Sequence, residues 1–331
     1  MPTIAGREVG ATGFGLMSLT WPHNPTPKVQ AFAAMDAALE TGANFWNGGQ
    51  FYGTPEYNSL HLLRDYFTEH PDAAKKVTLS IKGGLTLQKI PDGSEKFVRQ
   101  SVEQCLQILP PSLKKIDIFQ CARVDPNTPI ELTMKTLRKL VEEGKIGAVG
   151  LSEVKAETIQ RANAVVPIAA VEVEFSLFET SILTNGVAST CAKLNIPVVA
   201  YSPLGRGILT GQITGAADLP ANSPLRRLDK YKGENLDQNL QLVKALQELS
   251  ERYHDYSMPA FALSWIRQLS NRDGWGVFIP ICGSSRAENV RTNGQNVQLT
   301  DEDFKSIQKV LYENQTVGER AYPEQRKYLE G

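Results

Sequence analysis

Short runs of apolar and β-branched residues alternate along this chain with longer segments in which apolar residues recur at helical spacing. Such apolar runs are typical of strands buried on both faces, as in a parallel sheet covered by helices. The predicted strands are Gly13–Leu19, Asn44–Gly48, Val77–Lys82, Ile116–Ala122, Ala148–Ser152, Ala169–Phe175, Pro197–Ser202 and Val277–Cys282. The predicted helices are Lys28–Thr41, Tyr57–Glu69, Glu95–Leu109, Pro129–Glu142, Ala156–Ala164, Leu183–Leu194, Leu236–Tyr253 and Pro259–Leu269.

About eight strand–helix units, without the interruption in the middle that two domains would give, predict a closed (β/α)8 TIM barrel. We expect residues 1–331 to form this barrel as a single domain. Helix boundaries are marked as well: Ser94 stands where it can cap the start of a helix, and Gly42 and Gly144 stand where glycines end helices.

Two stretches depart from the regular spacing. Thr3–Val9 predicts a short N-terminal hairpin that closes the floor of the barrel. Between Ser202 and Val277 the spacing roughly doubles, beginning with the glycine-rich stretch Leu204–Gly215. This predicts a long loop after strand seven, and loops of this length in a compact domain are usually functional.

Composition narrows the function further. Hydrophobic residues make up 41% of the chain and charged residues 21%, as in a soluble protein with a large core. Lys and Arg number 35 against 36 Asp and Glu, a net charge of −1 that argues against a nucleic-acid partner. Neither a membrane span nor a signal peptide is indicated, so we expect a cytoplasmic protein. The four dispersed cysteines predict neither a disulfide nor a metal site.

In barrels of this type the active site lies at the C-terminal ends of the strands, so residues that follow each strand are the candidates. Lys82 interrupts an apolar strand, and a buried ammonium must be paired or shifted in pKa. Tyr52 follows the second strand, and a neighbouring lysine would stabilise its tyrosinate and lower its pKa. Both residues also have a plain structural interpretation, in which Lys82 extends to solvent at the rim and Tyr52 packs beneath a loop. No G-x-G-x-x-G follows the first strand, so a Rossmann domain is not indicated.

A series of motifs, in order along nearly the whole chain, resembles the aldo-keto reductase superfamily. The motifs lie in Gly13–Met17, Asn44–Gly53, Ile116–Asp125, Gly150–Glu153, Glu174–Phe178 and Val199–Gly207. Within the superfamily, the Asn-Gly-Gly and Cys-Ala-Arg sequences look most like fungal pyridoxal reductases. The resemblance implies NADPH-dependent reduction of an aromatic aldehyde, with pyridoxal and its reversible conversion to pyridoxine as the sharpest expectation.

The resemblance also implies a catalytic tetrad of Asp, Tyr, Lys and His. The tyrosine falls on Tyr52 and the lysine on Lys82, whereas the aspartate position holds Asn47 and the histidine position holds Ala122. Asn47 would still contact Lys82 through its amide oxygen, but it lacks the negative charge of an aspartate. We therefore expect Lys82 to be easier to deprotonate than in the family.

NADP(H) is the cofactor that the resemblance implies. Ser152 and Glu172 would hold the nicotinamide carboxamide, although the serine's usual asparagine neighbour is Glu153 here, and Tyr201 would stack on the ring. The remaining assigned residues belong to a loop over the pyrophosphate and to a site for the adenosine phosphate. The loop has Ser202, Leu204, Arg206 and Gly207, and the adenosine site has Ser284, Arg286, Asn289 and Asn293. Without the resemblance, Ser284–Arg286 is only a polar turn before a helix.

A flat aldehyde needs an apolar wall, and three aromatic residues near the first two strands could provide it. These are Trp21, Trp46 and Phe51, with the small Ala122 leaving room for a substituted ring. Core packing is an equal alternative for Trp46.

Three classes of function compete. The first is the aldehyde reductase, and the second is an NADP(H)-binding redox-sensing or regulatory subunit with slow turnover. Tyr52 and Lys82 favour the enzyme, since a pure binding module needs neither. A cofactor-free lyase or isomerase would need a phosphate or metal site at the strand ends, and the sequence shows none. The reaction direction and the oligomeric state stay open.

Overall fold

Eight parallel strands close a barrel in the part of the chain that the structure, a computed structural model, describes: residues 1–22, 25–329 and 331. A separate two-stranded antiparallel hairpin precedes the barrel. The strands are β1 (Thr3–Ile4), β2 (Arg7–Glu8), β3 (Gly13–Gly15), β4 (Phe45–Gly49), β5 (Thr78–Gly83), β6 (Ile118–Cys121), β7 (Ala148–Ser152), β8 (Ile168–Glu174), β9 (Val198–Tyr201) and β10 (Phe278–Cys282). β10 pairs with both β9 and β3, which closes the barrel and confirms the predicted fold class.

Helices cover the outside of the barrel and occupy the long loop. The α-helices are α1 (Lys28–Glu40), α2 (Ser59–Glu69), α3 (Pro71–Lys76), α4 (Glu95–Ile108), α5 (Ile130–Glu142), α6 (Ala156–Asn163), α7 (Val187–Lys193), α8 (Gly233–Ser250), α9 (Met258–Leu269), α10 (Ala287–Gly294), α11 (Asp301–Glu313) and α12 (Pro323–Arg326). Short 3-10 helices are Met17–Leu19, Ser181–Leu183, Gly205–Thr210, Ala216–Asp218, Pro224–Arg227, Asp229–Tyr231 and Glu251–Tyr253.

The predicted helix boundaries have the expected local chemistry. Ser94 Oγ accepts a hydrogen bond from the backbone N–H of Phe97, which satisfies one free donor at the start of α4. Gly42 and Gly144 follow α1 and α5 with φ of +77° and +71°, the left-handed conformation that glycine adopts at little cost.

Among the predicted elements that are shorter than their apolar patterns, two are interrupted by a local turn. β3 ends at Gly15, because the carbonyl of Leu16 accepts from Leu19 N–H and turns the chain into a 3-10 helix. The helix predicted over Leu183–Leu194 begins only at Val187. Gly186, at φ +91°, interrupts it, and the Asn185 side chain caps the new start.

The barrel interior changes from apolar to polar along the strands. Ile4 and Val9 of the N-terminal segment pack with the lower interior side chains Phe45, Ile118 and Val199, so the hairpin fills the floor as predicted. Side chains two residues farther along a strand point to the same side. Those positions hold Asn47, Gln120, Glu172 and Tyr201. The polar layer therefore lies at the C-terminal ends of the strands.

Candidate active site

Lys82 of β5 points into the polar layer of the barrel and is 3% exposed. Its Nζ donates to Asn47 Oδ1 at 2.5 Å and forms an ion pair with Glu172 Oε1. The ammonium of β5 is thus held by side chains from two other strands, β4 and β8. The rim interpretation of Lys82 is wrong.

Glu172 is the anionic centre of this layer. Its Oε2 accepts from Asn47 Nδ2 at 2.7 Å and from Gln120 Nε2 at 2.5 Å. Both carboxylate oxygens are therefore engaged, one with the ammonium and the other with two amides. The carboxamide-binding role implied for Glu172 stays a prediction, while its observed partner is Lys82.

We expected Lys82 to be easier to deprotonate than in the family because Asn47 carries no charge, and that comparison stays a prediction. Burial lowers the pKa of Lys82, but the Glu172 carboxylate and Tyr52 raise it, and the result lies above the usual value for lysine. The missing charge at Asn47 is supplied from the opposite side of the barrel. Positions 47 and 172 are 125 residues apart in the sequence, so their contact was not expected from it.

Tyr52 lies just beyond this network. Its ring centroid is 5.2 Å from Lys82 Nζ, and the Phe51 ring packs edge-on against it with centroids 4.9 Å apart. Thr20 Oγ1 donates to the Tyr52 carbonyl at 2.6 Å. Gly49 leaves space for the ring, since a Cβ there would lie 3.2 Å from Tyr52 Cδ2. The Asn-Gly-Gly sequence therefore lets the tyrosine approach the end of its own strand.

The pKa of Tyr52 is set by opposing effects. Burial raises it, whereas the positive charges of Lys82 and Arg123 lower it and the Glu172 carboxylate raises it. The net result is a pKa above the usual value for tyrosine. Lys82 lowers the pKa as predicted from the sequence, but burial outweighs it, so the phenol is protonated at neutral pH.

The position of the family histidine is occupied by a small, fully buried side chain. The Ala122 backbone N–H donates to the Gly83 carbonyl at 2.9 Å, and Arg123 Nη1 donates to the Ala122 carbonyl at 2.5 Å. The Arg123 charge lowers the pKa of both Tyr52 and Glu153. A cation thus accompanies the alanine in the site.

A second buried ion cluster borders the first. Arg320 Nη2 pairs with Glu153 Oε2 at 2.8 Å, and Arg206 Nη2 pairs with Glu174 Oε2 at 3.1 Å. Arg320 also lies 3.5 Å from Glu174, which links the two pairs. Tyr201 is adjacent, and its pKa is raised by burial and by both carboxylates. Glu153, which replaces the expected asparagine, therefore anchors the C-terminal segment.

The predicted pyrophosphate loop follows β9 directly. Ser202, Leu204, Arg206 and Gly207 are all half-buried along it. Ser202, Arg206 and Gly207 have φ of +48°, +55° and +102°, so the loop is tightly folded with unusual backbone angles. The Tyr231 hydroxyl donates to the Gly205 carbonyl at 2.6 Å. This bond holds the start of the long loop after β9 against a 3-10 helix farther along the same loop. Since Arg206 is paired with Glu174, its contacts stabilise the loop itself.

The predicted adenosine site lies at the start of α10. Ser284 Oγ accepts from the backbone N–H of Arg286 at 3.1 Å, and the Arg286 and Asn289 side chains are exposed. Asn293 is buried, and its carbonyl accepts from Arg267 Nη1 at 3.1 Å. β10, which leads into this helix, is hydrogen-bonded to β9, so the two parts of the predicted cofactor site share one edge of the barrel.

Two of the three predicted wall residues lie near the barrel mouth, and one does not. Trp21 is half-buried with Lys89 Nζ 5.4 Å from its ring, and Phe51 contacts Tyr52. Trp46 is fully buried and stacks on Phe67 with centroids 5.9 Å apart.

The strand geometry explains the correction for Trp46. It precedes the inward-pointing Asn47, so its side chain must point outward to the helices. Core packing is therefore the correct alternative.

Ser152 ends β7 and is almost fully buried. It pairs in register with Glu172 of β8, next to the Lys82 network. Among the residues of the site that received no role from the sequence, Gln120, Arg123, Glu153 and Glu174 lie at the strand ends. The signal for them was the same as for Lys82, a polar side chain within or directly after an apolar strand.

In the described part of the chain, no helix is long and apolar enough to cross a bilayer. The same residues contain no cluster of three or more His, Cys, Asp and Glu side chains suited to a metal ion.

Several known proteins are similar to this chain over most of its length. The model of the Aldo/keto reductase family matches residues 11–312. A Schizosaccharomyces pombe protein provisionally named pyridoxal reductase 2 is 44% identical over 328 residues, which cover 97% of each chain. A Saccharomyces cerevisiae protein provisionally named pyridoxal reductase is 38% identical, with 93% of this chain and 95% of the relative covered. The structure of a glycerol dehydrogenase from Gluconobacter oxydans has the same fold, with a TM-score of 0.82 at 24% identity and 96% of each chain covered.

Proposed function

The chain belongs to the aldo/keto reductase family, and on that premise we propose that it reduces an aromatic aldehyde with NADPH, pyridoxal being the favoured substrate. Membership in an oxidoreductase family was expected from the motifs and is confirmed. One observation carries the proposal beyond the family: the Tyr52 ring lies 5.2 Å from the ammonium of the buried Lys82, whose charge is balanced by Glu172.

Tyr52 is suited to be the general acid. When bound, NADPH would supply the hydride. The phenol holds its proton at neutral pH, since the ordinary pKa of tyrosine is about 10, and Tyr52 can give that proton to the carbonyl oxygen of the substrate. Lys82 would stabilise the tyrosinate that remains, in a site where little water competes for that charge.

The residues around the loop after β9 and the start of α10 fit a dinucleotide phosphate. Tyr201 has a partly buried ring, and Gly207, with no atom within 4 Å of its Cβ position, allows close approach to the backbone. Arg286 and Ser284 stand at a helix N-terminus, where backbone N–H groups and a guanidinium favour an anion. A phosphate on the adenosine ribose would gain from this guanidinium, which favours NADP(H) over NAD(H).

Pyridoxal is favoured because of the charge near Tyr52. It carries a ring hydroxyl beside its formyl group, and an ionised hydroxyl suits the cation that Arg123 provides. The names of the two fungal relatives support the same substrate. Trp21 and Phe51 would pack against the ring.

The test is NADPH oxidation by the purified protein with pyridoxal, benzaldehyde and an aliphatic aldehyde, with nucleotide binding followed separately by fluorescence quenching. We expect kcat/KM to be highest for pyridoxal. Turnover that prefers another aldehyde would reject the substrate assignment and leave the reductase assignment intact. NADPH binding without turnover of any aldehyde would instead support the regulatory subunit.

A further inference from the structure

We propose that Glu172 is the positioning residue that keeps Lys82 charged and fixed beside Tyr52. In this proposal the amide of Asn47 and the carboxylate of Glu172 form one unit, in which the two groups can exchange positions. The inference rests on the proposed function, because it concerns how the general acid is prepared. It assigns Glu172 to proton chemistry instead of cofactor binding.

Burial makes an anionic partner necessary. The side chains of Lys82 and Glu172 are each 4% exposed, so both are almost entirely removed from water. An ammonium in such a place is unstable unless a carboxylate lies beside it. Asn47 is neutral and can offer only an amide dipole, through the bond at 2.5 Å. The charge balance therefore depends on Glu172.

Hydrogen bonds also fix the direction of each group. The Asn47 amide uses its oxygen for Lys82 and its nitrogen for Glu172, so it cannot flip without losing both bonds. Gln120 donates to the same carboxylate oxygen of Glu172 as Asn47 does. It lies on β6, the strand that pairs with β5, which carries Lys82. All three partners of Glu172 hold it in one orientation, and Lys82 is held with it.

The contacts among Asn47, Glu172 and Lys82 make the exchange possible. Each of Asn47 and Glu172 contacts Lys82, and each contacts the other. Moving the carboxylate to position 47 and the amide to position 172 would preserve one negative charge beside the ammonium. It would also preserve a bond between the two side chains.

The proposal predicts a particular pH dependence. The ionisable groups that face Lys82 in the described structure are Glu172 and Tyr52, and Arg123 acts on Tyr52. A negative charge favours the protonated form of each neighbouring acid, so Glu172 holds the proton on the Lys82–Tyr52 pair. Removing that charge should move the alkaline loss of activity to lower pH, and restoring it from position 47 should move it back.

The experiment compares wild type, Glu172→Gln and the double variant Asn47→Asp with Glu172→Gln. Rates of NADPH oxidation are measured from neutral to alkaline pH with nitrobenzaldehyde, which does not titrate in this range. In Glu172→Gln we expect the alkaline loss of kcat to occur at a pH lower by about one to three units than in the wild type. In the double variant it should return towards the wild-type position.

Glu179→Gln is the matched control. Glu179 also forms a buried ion pair with a lysine, Lys230, at 2.8 Å, but it lies outside the Lys82 network. This variant should lose stability without a shift in the alkaline limb. A shift as large as that of Glu172→Gln would mean that any buried carboxylate has this effect, and would overturn the proposal.

Urea unfolding of the same variants gives a readout that needs no turnover. Glu172→Gln should lower the urea midpoint, less so at high pH where Lys82 becomes neutral, and the double variant should regain it. If the wild type reduces no aldehyde, the proposed function fails. The urea midpoints still decide whether Glu172 is the charge partner of Lys82. An unchanged alkaline limb or midpoint in Glu172→Gln overturns the inference. The inference is also overturned if the double variant recovers neither the alkaline limb nor the urea midpoint. That outcome includes the case in which both variants fail to fold.

Discussion

At the scale of single residues, the site combines a fixed cation with one transferable proton. Replacing Tyr52 by Phe keeps the ring against Phe51 and removes the hydroxyl. We expect kcat to fall about 100- to 10,000-fold, the usual contribution of a general acid, with NADPH affinity nearly unchanged. Single-turnover rates and fluorescence quenching check the two parts. A rate within about threefold of wild type would remove Tyr52 from the mechanism.

Arg123 belongs to the same scale, because its effect depends on one charge. If Arg123 recognises the ionised hydroxyl of pyridoxal, Arg123→Met should lower kcat/KM for pyridoxal. The decrease should correspond to a loss of about 2–3 kcal/mol of transition-state stabilisation. The deoxy analogue, which lacks that hydroxyl, should be affected far less. Equal losses for both substrates would show that Arg123 acts on Tyr52 or on folding, and would weaken the choice of pyridoxal.

At the scale of elements, α10 presents Arg286 at its exposed first turn. Arg286→Ala should weaken NADPH binding by about 1.5–3 kcal/mol, the range for hydrogen bonds to charged groups, and leave NADH binding nearly unchanged. Titration of nucleotide fluorescence measures both. Arg291→Ala is the control, since Arg291 lies on the same helix but pairs with Glu40 at 2.7 Å. Equal weakening of both nucleotides by Arg286→Ala would mean that the residue is structural.

Local signals in the sequence predicted most of these elements. Caps and end glycines are contacts between near neighbours, so Ser94, Gly42 and Gly144 could be interpreted without the fold. The errors arose where a local turn interrupted an apolar pattern, as at Leu16 and at Gly186. Hydrophobic periodicity reports which face is buried, but it does not report where the backbone stops pairing.

At the scale of the whole molecule, closure of the barrel brings distant positions together. The periodic pattern was enough to predict eight units, and the resemblance to the family made Tyr52 and Lys82 the candidate catalytic residues. The contact between Lys82 and Glu172 could not be predicted in this way, because it joins residues 90 positions apart on strands that are not adjacent. The pair of Glu153 and Arg320 spans 167 positions. The first pair depends on which side chains meet inside the closed barrel, and the second on where the C-terminal segment lies against the strand ends.

The plugged floor of the barrel has a consequence for the order of events in turnover. Ile4 and Val9 fill the lower end, so we expect both reactants to arrive and both products to depart at the end that holds the polar layer. The predicted nicotinamide contacts Ser152 and Tyr201 lie at the strand ends, so we expect the nucleotide to bind first and the aldehyde to bind above it. We therefore expect steady-state kinetics of compulsory order, in which oxidised nucleotide competes with NADPH but not with the aldehyde. Competition with both would indicate that the two ligands exchange independently.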